Sequence, residues 1–286
     1  MRCEMLAIAA GYEEKLEAAE SQLMLSTLDL IKASSDDDEE NDGSYILQMQ
    51  DGVGVIEIRG MLTNINTPWN RYFGVLAYDE IRNATIQALE EGAGALMYLI
   101  SSPGGRVSGM NSAAELMSSV PVPTMSYTDD SMHSAAYFLG SQSDSVYAGD
   151  FASVGSIGVI ATLMDYSEAM KKNGVKAVRF RSGDLKQAGN PMFKLSDKEH
   201  KYLQEQVDLY AQKFFNIVSE ARGIPLPMLE NLDITSGRTF IGAQTQQVGL
   251  VDGILSFDQA FAKISDLAKK NIESRQLTRT YTSSSK

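Results

Sequence analysis

The apolar run Ala95–Ile100, closed by Ser101-Ser102-Pro103-Gly104-Gly105, constrains this chain more than any other segment. A continuous apolar run without alternation predicts a strand buried on both faces. Such a strand needs layers packed on each side, so an α/β fold with a mostly parallel sheet and right-handed crossovers is expected. Pro103 fixes a turn, and Gly104 and Gly105 let the backbone come close to a ligand at the strand's carboxyl edge. A plain strand–turn–helix corner would use the same residues.

The flanking pattern agrees with alternation of strand and helix. Ser44–Gln50 and Val53–Arg59 are β-rich and flank Asp51-Gly52, which predicts a hairpin. Leu76–Glu91 has helical periodicity, with Asp79 and Glu80 early and Gly92 just past the end. Residues 108–119 read as helix, Pro123–Thr128 as strand and Ser134–Gln142 as a short helix. Ser145–Ala148 and Gly155–Thr162 read as strands, 164–172 as helix and Val175–Arg181 as strand. A long helix over 196–221 opens with Ser196 and Glu199, the spacing of a capping box.

The ends read differently. Residues 1–33 predict a helical N-terminal extension and 34–43 (SSDDDEENDG, with its run of like charge) an acidic linker. The spacing in that linker lacks the alternating ligands of a calcium loop. Residues 271–286 predict a flexible tail. Met5–Ala10 is apolar but too short for a secretory signal, with acidic residues close behind, and no stretch approaches a membrane span. A cytoplasmic protein is therefore expected.

Composition narrows the chemistry. There are 25 Lys and Arg against 37 Asp and Glu, a formal charge of −12, which argues against a nucleic-acid partner. Cys3 is the single cysteine, and His133 and His200 are the only histidines. Neither a disulfide framework nor a metal cluster is expected, and no cofactor is implied.

Ser134 follows a polar turn at the start of a helix of small and aromatic residues. It is either an N-cap, the commonest use of serine there, or a nucleophile next to N–H groups that can stabilise an oxyanion. A nucleophile needs a base. His133 is its chain neighbour, so their side chains should diverge, and His200 sits in a charged first helical turn. A lysine then becomes the better candidate, provided burial lowers its pKa from about 10.4. Lys186, in the loop Arg181-Ser182-Gly183-Asp184-Leu185-Lys186-Gln187-Ala188-Gly189-Asn190-Pro191, is such a lysine, although most loop lysines are simply solvated. In Gly155-Ser156-Ile157-Gly158-Val159, Ser156 either marks a bulge or orients a neighbouring polar group.

Taken together, Ser102-Pro103-Gly104-Gly105, Ser134-Ala135-Ala136-Tyr137, Gly155-Ser156-Ile157-Gly158-Val159 and Ser182-Gly183-Asp184-Leu185-Lys186 resemble, in order, the motifs of the signal peptide peptidase A type of serine peptidase. Ser236-Gly237-Arg238-Thr239-Phe240 through Gly249-Leu250-Val251-Asp252-Gly253 resembles that family's C-terminal element. The resemblance covers roughly residues 50–260. It implies a ClpP/crotonase-like fold of repeated ββα units and a peptidase domain over 44–270. It further implies a Ser134–Lys186 dyad, Ser156 orienting the lysine, and an oxyanion hole from backbone N–H groups of Gly104, Gly105 and Ala135. Relatives form rings or domes, so a homo-oligomer is implied, in which the lysine may come from a neighbouring protomer. His133 departs from the small residue of many relatives.

The Gly189-Asn190-Pro191 loop ending and the N-terminal extension resemble the bacteriophage head-maturation branch. That branch implies protein substrates such as scaffold, portal or capsid proteins, and a place in the host cytoplasm or inside a procapsid. Other readings are a soluble signal-peptide-degrading peptidase, an acyl-CoA enzyme on the same fold, or an inactive scaffold.

Overall fold

The computed structural model describes residues 6–8 and 44–284, with side-chain detail for 44–277. The expected N-terminal helix and acidic linker lie outside the described residues. The strands are β1 (Leu6–Ile8), β2 (Leu47–Gln50), β3 (Val53–Arg59), β4 (Met61–Thr63), β5 (Val75–Ala77), β6 (Ala95–Ser101) and β7 (Gly104–Arg106). They continue with β8 (Thr124–Thr128), β9 (Ser131–His133), β10 (Ser145–Ala148), β11 (Ser153–Gly155), β12 (Thr239–Ile241) and β13 (Gly253–Ile254). The helices are α1 (Tyr78–Glu90), α2 (Met110–Ser118), α3 (Ala135–Gly140), α4 (Ser167–Lys172), α5 (Asp197–Arg222), α6 (Leu226–Asn231), α7 (Ala243–Gln247) and α8 (Phe257–Ser284).

The main sheet has the order β13-β10-β8-β6-β3-β2, parallel except for the β2–β3 hairpin. The hairpin turns on Asp51 and Gly52, both with positive φ, as a tight two-residue turn requires. At the centre, β6 is covered on both faces, as its unbroken apolar run predicts. Leu96, Tyr98 and Ile100 face the larger core with α1 and α2, whereas Ala95 and Met97 pack with Ala260, Ile264 and Ala268 of α8. Truncating one such side chain costs about 2–5 kcal/mol, because the surrounding layers collapse only partly into the space.

Four of the six main-sheet strands hand the chain to a short strand of an outer layer. β3 leads to β4, β6 to β7, β8 to β9 and β10 to β11, and helices α1, α2 and α3 follow the first three of these units. This is the repeated ββα arrangement that the family resemblance implies. The outer strands form the orders β1-β7-β4-β5 and β12-β11-β9, and a parallel bridge between Ser102 and Met132 links the two. The loops with Ser102-Pro103-Gly104 and His133-Ser134 therefore lie side by side at the carboxyl ends of β6 and β8.

Three expectations need correction. The strand expected over Gly155–Thr162 ends at Gly155, because Ser156 turns the chain out of the ladder with φ 53°. Val175–Arg181 is not a strand: it pairs with no strand among the described residues, and Val178 and Phe180 are exposed, the latter at 93%. The segment expected as a flexible tail instead continues α8 to Ser284. Small shifts elsewhere have local causes: Leu76 belongs to β5, which ends at Ala77, so the helix begins at Tyr78, where Glu80 Oε2 accepts the Ala77 N–H at 2.7 Å. The capping box of α5 is present, with Ser196 Oγ accepting the Glu199 N–H and Glu199 Oε2 accepting the Ser196 N–H.

Candidate active site

Ser134 joins β9 to α3 with φ 51° and ψ −119°, a conformation that non-glycine residues rarely adopt. Strain of this kind costs on the order of 1–3 kcal/mol and persists only where surrounding contacts enforce it. Three contacts do so here. The Ser134 N–H donates to the Gly155 carbonyl at 2.8 Å, the Phe138 N–H donates to the Ser134 carbonyl at 2.9 Å, and the His133 N–H donates to the Ser102 carbonyl at 3.1 Å. The side chain is fully buried, and its Oγ donates weakly to the Gly158 carbonyl at 3.4 Å.

Ser156 stands directly alongside. β9 and β11 are parallel with His133 opposite Gly155, so the next residues on each strand are Ser134 and Ser156. Ser156 is half-buried, and its N–H donates to the Arg238 carbonyl at 2.9 Å. Gly155 cannot be replaced here, because φ is 131° and a Cβ would come within 2.6 Å of the Arg238 carbonyl oxygen.

On the other side lies β7. The Gly104 N–H donates to Ser102 Oγ at 3.1 Å. Gly105 packs so closely on β4 that a Cβ would sit 1.9 Å from the Leu62 carbonyl oxygen. Ala135, first residue of α3, is fully buried. Helix α3 is itself fixed from below: the Phe138 and Phe214 rings meet edge to face at 5.1 Å, and Tyr137 Oη donates to the Leu250 carbonyl at 2.8 Å.

The structure thus brings together Ser134, Ser156, Gly104, Gly105 and Ala135, but not Lys186. Lys186 lies exposed in a turn, its N–H donating to the Gly183 carbonyl at 3.1 Å, and no hydrogen bond joins it to Ser134. Its loop is tied to the start of α5. Arg181 and Arg179 meet the buried Glu199 at 2.7 and 3.3 Å, and Lys198 meets Asp184 at 2.9 Å. The Ser196 hydroxyl, with Arg181, holds the Glu199 carboxyl down to about 2. Glu199 and Phe214 are 15 residues apart on α5, so the anchors of the lysine loop and of the serine helix stand about 22 Å apart along the axis.

His133 points away from Ser134, as expected of chain neighbours on a strand, with Nε2 2.9 Å from Ser153 Oγ. Burial pushes its pKa below 6.5, partly offset by Asp130. His200 is exposed on the first turn of α5. The sequence reading missed Ser102, whose hydroxyl and carbonyl brace the Gly104 and Ser134 turns, and the backbone of Arg238 beneath Ser156. Ser102 was legible as a small hydroxyl residue at a strand end beside glycine, but Arg238 acts only through its main chain and leaves no side-chain signal.

Residues 117–271 match the profile of peptidase family S49. The chain belongs to that family. The match covers α3 with Ser134, the β11 turn and the Lys186 loop. Relatives include the "Capsid assembly protease C" of Escherichia phage lambda, 28% identical over 253 residues, covering 86% of this chain and 55% of the relative. The "Putative signal peptide peptidase SppA" of Enterococcus faecium is 31% identical over 158 residues, 54% of this chain and 45% of the relative. The "Head-tail preconnector protein GP5" of Enterobacteria phage P21 is 22% identical over 230 residues, 79% of this chain and 45% of the relative. The chain thus spans about half the length of these relatives. Among the described residues no helix is long and apolar enough to cross a membrane.

Proposed function

We propose that this S49 member is a serine endopeptidase in which Ser134 is the nucleophile and Lys186 the general base. The observation that carries the reading is the strained, fully buried Ser134 turn between Gly104 and Ser156. In the first step Ser134 Oγ attacks the peptide carbonyl while the neutral Lys186 amine takes its proton. The N–H groups of Gly104 or Gly105 and of Ala135 stabilise the oxyanion. Engaging Gly104 requires its N–H to turn from Ser102 Oγ to the substrate. Lysine then protonates the departing amine, and water attacks the acyl-enzyme by the reverse proton path. The Ser156 hydroxyl holds the lysine ammonium in line.

Because Lys186 is exposed and its loop is anchored about 22 Å along α5 from the serine helix, the dyad is proposed to form between protomers. The arm that carries it supports this reading, with Met164, Tyr166, Val178, Phe180 and Met192 exposed to a degree that suits contact with a second copy. The natural substrates are proposed to be phage head proteins such as scaffold or portal, the reading favoured by the phage lambda relative that covers 86% of this chain.

The test is fluorophosphonate labelling of the full chain, followed by intact-mass analysis of wild type beside Ser134→Ala with candidate head proteins. Labelling at Ser134 with new fragments made only by wild type supports the proposal. Absence of label and of fragments in the oligomer would refute it.

A further inference from the structure

The outer strand β7 starts at Gly104, beside Ser134, and runs away from it to Arg106. One edge of β7 is taken by β4, through Leu62 and Gly105. The opposite edge is taken by β1, from far away in the sequence, in antiparallel register: Leu6 opposite Arg106, Ala7 opposite Gly105 and Ile8 opposite Gly104. A chain laid on that edge in this direction travels toward the nucleophile, so its residues up to Gly104 precede the bond that would meet Ser134. An extended peptide adding to an exposed strand edge by main-chain hydrogen bonds is a common recognition mode.

We propose that Leu6–Ile8 occupies the strand position of the acyl-side residues of a peptide substrate, so that the chain's own N-terminal segment competes with substrate for β7. This rests on the reading of Ser134 as nucleophile. The local sequence Leu6-Ala7-Ile8, followed by Ala9-Ala10-Gly11, is apolar and small, without charge or proline. It also places a covering strand over an edge that would otherwise expose unpaired N–H and C=O groups. Because the segment is tethered, its effective concentration does not fall on dilution, and any external peptide must displace it.

The test uses the full chain carrying Ala7→Pro with Ile8→Pro. Consecutive prolines remove one N–H from each side of the strand, so pairing is lost whichever side faces β7. Intact mass establishes that the segment is present when the assay starts. The expected result is a KM for a fluorogenic peptide lowered about tenfold with kcat unchanged, as for a site nine-tenths occupied in the wild type. Equal KM values would overturn the proposal.

Loss of turnover in both proteins would instead refute the peptidase reading, and binding then decides the strand. A fluorescein-labelled peptide of residues 5–10 should bind the proline variant on the Ser134→Ala background about tenfold more tightly than Ser134→Ala alone. Equal affinities would refute the competition. Amide exchange adds a check on folding: faster exchange confined to residues 104–106 is expected, whereas a general increase or no change at β7 counts against the pairing.

Discussion

Ser134 and Ser156 occupy equivalent places on two parallel strands, each one residue past a registered pair and each with positive φ, 51° and 53°. The shared register sets the two turns side by side. Ser134→Ala is expected to abolish peptide turnover. Ser156→Ala, which leaves the nucleophile in place, is expected to lower kcat by about 10²-fold through misplacement of the base. Steady-state kinetics of the two variants check this, and equal losses would show that Ser156 does more than position.

Lys186→Ala is expected to be inactive, and Lys186→Arg should not restore activity, because a guanidinium gives up no proton near neutral pH. Mixing Lys186→Ala with Ser134→Ala should recover activity if the pair forms across protomers, since each mixed interface can supply one intact partner of each kind. Activity regained after co-assembly, measured against either variant alone, is the readout.

Gly105→Ala should destabilise the protein by about 1–3 kcal/mol or more, the cost of forcing an extra methyl into a close-packed site. Its Cβ would lie 1.9 Å from the Leu62 carbonyl, which is main chain and cannot swing aside. The urea midpoint should fall with little change in slope.

Two of the groups that contribute to stability at low pH act in separate windows. The His133 pKa is depressed below 6.5 by burial, so its contribution is full above 6.5 and is lost as pH falls through the folded value. Glu199 is held at about 2, so its contribution is intact above about 4.5 and is lost only between there and about 2. His133→Gln should flatten the loss of urea stability between pH 7.5 and 5. Glu199→Gln should leave that window unchanged and reduce the loss in the one below it, where Asp252, held down by Arg222 and the Val146 N–H, also contributes.

Much of the scaffold was legible because burial writes itself into side chains. The run Ala95–Ile100, the Asp51-Gly52 turn and the Ser196–Glu199 cap each carry their own local cause, and each appears where the pattern puts it. In the arm between Gly158 and Phe193 the helix was legible, but Val175–Arg181 was misread as strand because it has suitable residues and no neighbouring strand among the described residues. For the candidate site, sequence order led to Ser134, Ser156 and the glycines, which the structure gathers. It carried no information on the separation of Lys186 from them within one protomer, since that depends on where a long helix carries the loop. The partner of β7 was equally hidden, because a three-residue strand near the start of the chain has too little pattern to announce its pairing.

The uninterrupted course of α5 between Glu199 and Phe214 makes that helix a spacer whose length and pitch are both set by residue count. Inserting a single alanine there would leave its cap and its aromatic contact each able to form. It would nonetheless rotate one end against the other by about 100° and push them about 1.5 Å further apart. Within one protomer the distance between the Lys186 loop and the Ser134 turn is therefore written in helical periodicity, and it changes only in steps of whole residues.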